Sequence, residues 1–270
     1  MAITTQAGAI AGMMPPVHFA KATTATLVAN APQSFYTLGG TPSAGAANSG
    51  LTGAVYSSSS AVPAGFLYHL DPPSADAYLA RLVATVTIPG TLLLLDRLWD
   101  CEPATDSTAA QTITPPTWPA RDINGSTAGL GVQLGIEVIA ATSSTAAVVS
   151  VSYTNSAGTA SRTGAFIDLP TAATTAIGRF FRIGLQAGDY GVQSVQTVTF
   201  STDWTSGTIA LVAYRVIAKM DIQLPNVANQ IDAVSAALPR IYNGSCLFFV
   251  FIPETTTASF LSGCYEETQG

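Results

Sequence analysis

Short apolar runs separated by turn residues dominate the chain from about residue 79 onward. Leu82, Ala84, Val86 and Ile88 alternate with more polar neighbours, and further apolar runs follow at short intervals. A period of two, with glycine, proline, asparagine and serine between the runs, is typical of antiparallel sandwiches and barrels. We therefore expect an all-β fold, an antiparallel β-sandwich of the jelly-roll kind.

Two stretches of this region carry more specific information. Residues 148–153 and 159–166 flank a turn that contains Gly158, which suits a positive φ, so they predict one hairpin. Residues 208–218 are almost continuously apolar, as in a central strand covered on both faces. Other strands are predicted at residues 82–88, 92–99, 130–140, 179–185, 192–201 and 247–252.

One segment near the C-terminus departs from the strand pattern. Val227, Ile231, Val234 and Leu238 follow one another at spacings of four, three and four, and Pro239 ends the run. This spacing predicts a short helix at about 227–238, with the residue after Pro225 as its N-cap. The helix either closes the sandwich or docks on a partner.

The first part of the chain has no sustained period. We divide the chain into an extended N-terminal arm at 1–24, a loop-rich excursion at 25–75 and a β-sandwich domain at 76–270. A segment without a fold of its own either docks on something or stays mobile as a flexible tail. If it docks, its apolar side chains are the predicted partner-binding residues: Ile3, Ile10, Met13, Met14, Val17 and Phe19.

Charge is scarce in this sequence. Charged residues make up 10% of the chain, against roughly 25% in typical soluble domains. A surface of uncharged polar residues suits a subunit of an assembly. The net charge is −6 with only two lysines, so the sequence lacks the basic clusters with which proteins neutralise nucleic-acid phosphates. It also lacks an apolar run of about 18 residues and a secretory signal pattern, so we expect no membrane partner.

Candidate catalytic and metal-binding chemistry is equally sparse. His18 and His69 are the two histidines, and Cys101, Cys246 and Cys264 form no metal-ligand motif. We expect no enzyme activity, no cofactor and no metal. Cys246 and Cys264 flank an apolar run and a turn, so a closing hairpin would bring them together; reduced thiols are the alternative, expected of a protein made in a cytoplasm.

Asp96, Arg97 and Asp100 lie within five residues of one another. In an extended strand the two carboxylates are about 13 Å apart, which is wide for a pair that acts as acid and base. We interpret this group as a structural ion pair at a strand end.

Three stretches resemble a group of virion proteins of tailed bacteriophages: LLLLDRLWD at 92–100, YTNSAGTASR at 153–162, and GRFF through LQAGDYGVQSV at 178–195. The resemblance extends over about residues 75–220. It implies a β-rich structural protein of the virion, such as a capsid decoration or cement protein, and it carries over no catalytic residue.

The sequence therefore predicts a capsid-associated decoration subunit of a phage head, assembled in the host cytoplasm. Its expected partners are the major capsid protein and further copies of itself, with a trimer as the assumed oligomer. Two alternatives remain. One is a tail-tube, connector or baseplate subunit. The other is a receptor or carbohydrate-binding module, suggested by the aromatic residues Trp118, Tyr190 and Trp204 in or near predicted turns.

Overall fold

The computed structural model describes residues 3, 5–23, 27–59, 61–69, 71–72, 75–142, 148–167, 176–233, 235, 237 and 239–270. They form two antiparallel sheets packed as a sandwich, which confirms the predicted all-β class. The helix in this part of the chain is Gln6–Ala11 (α1). No helix among the described residues is both long and apolar enough to cross a bilayer.

In chain order the strands are Val17–Ala22 (β1), Gln33–Ser34 (β2), Gly40–Thr41 (β3), Ala54–Val55 (β4), Ala77–Val86 (β5), Gly90–Cys101 (β6), Gln111–Thr112 (β7), Val132–Ala140 (β8), Val149–Asn155 (β9), Arg162–Phe166 (β10), Phe180–Gly184 (β11), Val192–Phe200 (β12), Thr208–Ile222 (β13), Asn229–Asp232 (β14), Arg240–Ile241 (β15), Leu247–Pro253 (β16) and Phe260–Gln269 (β17). The smaller sheet has the order β14-β5-β17-β1-β3, with β15 also on β5. The larger sheet has the order β2-β16-β6-β13-β8-β11-β10-β9-β12-β7, with β4 on β6.

The long strands lie where the apolar pattern places them. The predicted hairpin is confirmed, since β9 and β10 pair antiparallel with Tyr153 opposite Arg162. The predicted central strand is confirmed as well: β13 lies between β6 and β8, and most of its side chains are buried. Continuous apolarity in that segment reflects cover on both faces.

The predicted helix at 227–238 is wrong. Asn226 has a left-handed backbone with φ of 59°, and residues 229–232 form an edge strand that pairs with β5. Ile231 lies opposite Leu82 and packs against the core. The strand therefore covers a side chain that also belongs to the apolar stripe of the predicted helix. A three-turn helix is only marginally stable in isolation, whereas pairing with the edge of β5 gives this segment backbone hydrogen bonds. Val234 and Leu238 lie outside the described residues.

In the described part of the chain, the buried side chains form three groups. The first is enclosed by the larger sheet, since β6, β8, β9, β11, β12 and β13 all contribute to it. The second lies between the smaller sheet and the other half of β6, β13 and β16. The third covers the outer face of β6, β13 and β16, where Tyr36, Tyr56 and Phe66 pack on Phe248 and Val250. Part of the loop-rich segment therefore covers a sheet face that would otherwise be exposed.

A fully buried arginine holds this cover in place. Arg97 pairs with Asp100 and Glu137, and all three side chains have no exposed surface. Its guanidinium carbon also lies 4.1 Å from the centre of the Tyr36 ring. Asp100 in turn accepts hydrogen bonds from the Tyr56 hydroxyl at 3.1 Å and from the side chain of Asn48 at 2.8 Å. The predicted structural ion pair is thus a network that joins the loop-rich segment to two strands.

The Arg97→Met variant tests this network. It leaves the carboxylates of Asp100 and Glu137 buried without their cation, so we expect the free energy of unfolding to fall by about 3–5 kcal/mol. Chemical denaturation of purified protein measures the change.

The matched control is Lys219→Met, which breaks the Lys219–Asp221 pair, whose side chains are 59% and 50% exposed. We expect a loss of about 0–1 kcal/mol there. Equal losses for the two variants contradict the structural role of Arg97.

Candidate docking surface

The N-terminal arm is fastened to the C-terminal strand of the chain. In β1, Val17 lies opposite Tyr265 of β17, and the pairing continues along six residues. Beyond β1, the amide of Met14 donates to the Glu267 carbonyl at 2.8 Å. Thr268 Oγ1 donates to the Ala9 carbonyl at 2.5 Å, which ties α1 to the same strand. The described part of the arm therefore docks on its own subunit.

A buried lysine secures the other end of β1. The ammonium of Lys21 donates to the carbonyls of Phe35, Leu38 and Ser43 at 3.0, 2.8 and 3.3 Å. Three carbonyl acceptors satisfy the three N–H donors of a lysine, so this charge is tolerated inside the protein. The contact joins the arm to the loop-rich segment.

The six predicted partner-binding residues separate into two groups. Phe19 is 2% exposed, and its ring centre lies 4.5 Å from that of Phe249, so it is a core residue of this subunit. Met14 is also mostly buried, and Val17 is half-buried against the second core. By contrast, Ile10 is 64% and Met13 41% exposed. Ile3 is partly exposed.

An apolar groove begins at the residue that follows Met13 in the chain. It has a volume of about 290 Å³ and is lined by Met14, Pro15, Pro16, Val17, Tyr68 and Glu267. A second cleft of about 460 Å³ shares Val17 and Tyr68 with it. We call the groove together with Ile10 and Met13 the arm surface. Its proline wall is stiff because proline fixes φ, so the groove is largely preformed.

Sequence reasoning missed the opposite wall of the groove. Tyr68, which is 52% exposed, and Glu267 come from segments far from the arm in sequence. Met14 and Val17 were among the predicted partner-binding residues, but the pairing of the arm with β17 was not predicted. Without that pairing, no local signal places Tyr68 beside Met14.

A buried histidine supports the wall of the groove formed by Tyr68 and Glu267. His69 Nδ1 lies 2.8 Å from Glu267 Oε1, and its Nε2 lies 2.8 Å from Asp71 Oδ1. Burial by itself opposes the charge on His69, but the hydrogen bond and the charge of Glu267, together with Asp71, outweigh it and raise the pKa of the imidazole. Burial also raises the pKa of the Glu267 carboxyl. The imidazole thus bridges the loop that carries Tyr68 to β17.

The remaining candidate residues do not gather at a site. Among the described residues no group of three or more His, Cys, Asp or Glu side chains has a metal-binding arrangement. The hairpin that would join Cys246 to Cys264 does not form, because β16 and β17 belong to different sheets; both thiols are free. Trp118 and Trp204 are buried at 3% and 2% exposure, whereas Tyr190 is 79% exposed.

The His69 contacts predict a pH dependence of stability. Because the pKa of His69 is raised in the folded protein, its contribution is complete below the unfolded value of about 6.5 and is lost as the pH rises through the folded pKa. The raised pKa of Glu267 acts in the same direction. We expect the unfolding temperature to fall as the pH rises from about 6 to 8.

Thermal unfolding across this pH range measures the effect. His69→Gln should flatten the profile, whereas His18→Gln, at an exposed position of β1, should leave it unchanged. A profile that is already flat in the unsubstituted protein contradicts the bridging role of His69.

Comparison with known proteins assigns no family. No family model matches the chain, and no curated protein matches it significantly. The VP2 subviral particle of infectious bursal disease virus is 8% identical, over 95% of this chain and 81% of that chain, with a TM-score of 0.21. The Gt strain of that virus gives 8% identity, 95% and 82% coverage and a TM-score of 0.20. CsCBM6-3 from Clostridium stercorarium, in complex with cellobiose, gives 12% identity, 64% and 97% coverage and a TM-score of 0.19. Similarities this low establish neither a shared fold nor a function.

Proposed function

We propose that this protein is a structural subunit of a tailed-phage virion, which decorates the head and binds the major capsid protein through the arm surface. The observation that carries the proposal is an exposed apolar surface held on a rigid support. Ile10 and Met13 are exposed, and the residues that follow Met13 in the chain line a groove whose walls are fixed by strand pairing and by prolines. An exposed apolar patch with polar surroundings is typical of a protein interaction site.

The chemistry of the arm surface supports an apolar partner. Apolar and uncharged groups line most of the groove, and Glu267 is engaged by His69. A complementary partner is an apolar segment of a capsid subunit. Burial of apolar surface contributes about 25 cal/mol per Å², so a contact of a few hundred Å² stabilises by several kcal/mol before ordering costs are subtracted. Repetition of the contact around a symmetric shell multiplies the effect.

A structural role also fits the use of charge in the described residues. The ionisable side chains of Arg97, Asp100, Glu137 and Lys21 join segments of the fold to one another in the interior. Exposed charge is scarce, as in the 10% charged composition of the whole chain. The sequence resemblance over residues 75–220 points to the same class of virion proteins. We include in the proposal a location in the phage head, assembly in the host cytoplasm and association with further copies of the chain.

Substitution of the exposed arm residues tests the docking. The double variant Ile10→Asp and Met13→Asp places two charges on the arm surface without touching the core. We expect its occupancy on particles that lack the native subunit to fall at least about tenfold, which corresponds to about 1.4 kcal/mol. Gel densitometry of sedimented particles measures the occupancy.

Leu224→Asp is the matched control, since Leu224 is 60% exposed and lies outside the arm surface. It should bind as the native subunit does. If the double variant occupies particles as fully as the native subunit, the arm surface is not the docking site. Rings or tubes of the purified protein in electron micrographs favour a tail or connector subunit instead.

The low charge of the surface makes a further prediction. At about 1 M salt the Debye length is only about 3 Å, so contacts between exposed charges are largely screened, whereas apolar contacts are not. We expect the subunit to remain on the particle in about 1 M NaCl. Sedimentation of particles at low and high salt shows this directly, and release at high salt contradicts an apolar attachment.

A further inference from the structure

An exposed tyrosine stands on a rigid turn at the far end of the larger sheet. Tyr190 is 79% exposed, although its main chain is well fixed. The Tyr190 carbonyl accepts from the amide of Gly131 at 2.8 Å. The next residue, Gly191, lies so close to Gly129 that a Cβ at position 191 would clash with the Gly129 carbonyl. A large ring held in solvent by a rigid backbone is preorganised to contact a ligand.

The ring borders a cleft of about 430 Å³. Ile183 and Leu185 contribute apolar surface, and Ile167, which is 59% exposed, stands at the rim. Gln133 adds a polar group: its Oε1 accepts from the Tyr214 hydroxyl at 3.3 Å, so its amide N–H groups are the donors available to a ligand. Clefts of this size, with apolar walls and a few fixed polar groups, are typical of small-molecule sites.

The charges beside the cleft cancel each other. Asp189 accepts from Arg162 Nε at 2.8 Å, from the Tyr153 hydroxyl at 2.6 Å and from Asn155 Nδ2 at 2.7 Å. The hydrogen bond from Arg162 is the main reason that the pKa of Asp189 is lowered to about 2, so the pair is a neutral, fixed unit at neutral pH. A site with no net charge offers no counter-ion to a charged ligand and therefore favours neutral ligands.

We propose that this cleft binds a neutral pyranose sugar. One face of a pyranose ring carries C–H groups and suits the face of Tyr190, while the hydroxyls at the ring edge suit the amide of Gln133 and the polar rim around Asp189. A tyrosine is well placed for this because it combines an apolar ring with a polar hydroxyl. The site is distinct from the arm surface and adds glycan recognition to the proposed structural role.

The expected affinity of one cleft is weak. A single aromatic contact and a few hydrogen bonds support a dissociation constant of about 1 mM. Many copies on one particle would bind a glycan surface far more tightly, because linked sites raise the avidity by about 10² to 10⁴. Weak individual sites are therefore sufficient for a subunit that is repeated around a shell.

Titration of the full-length protein with defined sugars tests the proposal. The probes are the methyl glycosides of glucose, galactose and mannose, with methyl glucuronide as the charged counterpart. We expect saturation-transfer NMR to detect at least one neutral glycoside, and the glucuronide to bind less well. Tyr190→Ala should weaken that binding at least about tenfold, and Tyr190→Trp should retain it.

Tyr68→Ala is the matched control, because Tyr68 is also an exposed tyrosine but lines the arm surface. It should leave sugar binding unchanged and weaken particle binding, and Tyr190→Ala should do the reverse. Either proposal, docking at the arm surface or sugar binding at Tyr190, can therefore be overturned without the other. Absence of binding by all three neutral glycosides, or equal binding by Tyr190→Ala and the native protein, overturns the sugar site.

Discussion

A buried positive charge constrains the whole architecture. The guanidinium of Arg97 lies on the outer face of the larger sheet, where it is stable only while Asp100, Glu137 and the Tyr36 ring surround it. The loop-rich segment must therefore cover that face. This same segment supplies Tyr56, which hydrogen-bonds to Asp100. Further along, it leads to the loop that forms one wall of the arm surface, so the position of that wall follows from the ionic network.

The two ends of the chain meet in the smaller sheet. Pairing of β1 with β17 converts an N-terminal segment without internal periodicity into an ordered strand, and it presents Ile10 and Met13 to solvent from a fixed position. His69 fastens the neighbouring loop to the same strand through Glu267. Preorganisation of this kind lowers the entropy cost of docking. A subunit whose apolar contacts are preformed and whose surface has little charge is suited to attachment in an assembly.

Much of the sandwich could be predicted from period-two patterning and turn residues. A long strand with one or two covered faces has a recognisable apolar pattern in its own sequence. The hairpin around Gly158 and the central position of β13 are examples. The prediction of a helix at 227–238 was wrong because Ile231 fits both patterns. It belongs to the apolar stripe of the predicted helix, and it faces the core in the observed edge strand. Part of the arm surface could be predicted: Ile10 and Met13 were expected to bind a partner, but Tyr68 and Glu267 join the surface only through long-range pairing. Trp118 and Trp204 turned out to be buried, since an aromatic residue near a turn carries no signal of which way it faces.

If the arm surface contacts the particle, binding must protect its backbone from solvent. Hydrogen exchange of the particle-bound subunit, compared with the free subunit, measures this protection. We expect slower exchange at residues 5–14 and 66–69 on binding, with little change at residues 186–191. Slower exchange at other surfaces while the arm stays as it is in free protein, or no bound subunit on mature particles, contradicts docking at the arm surface.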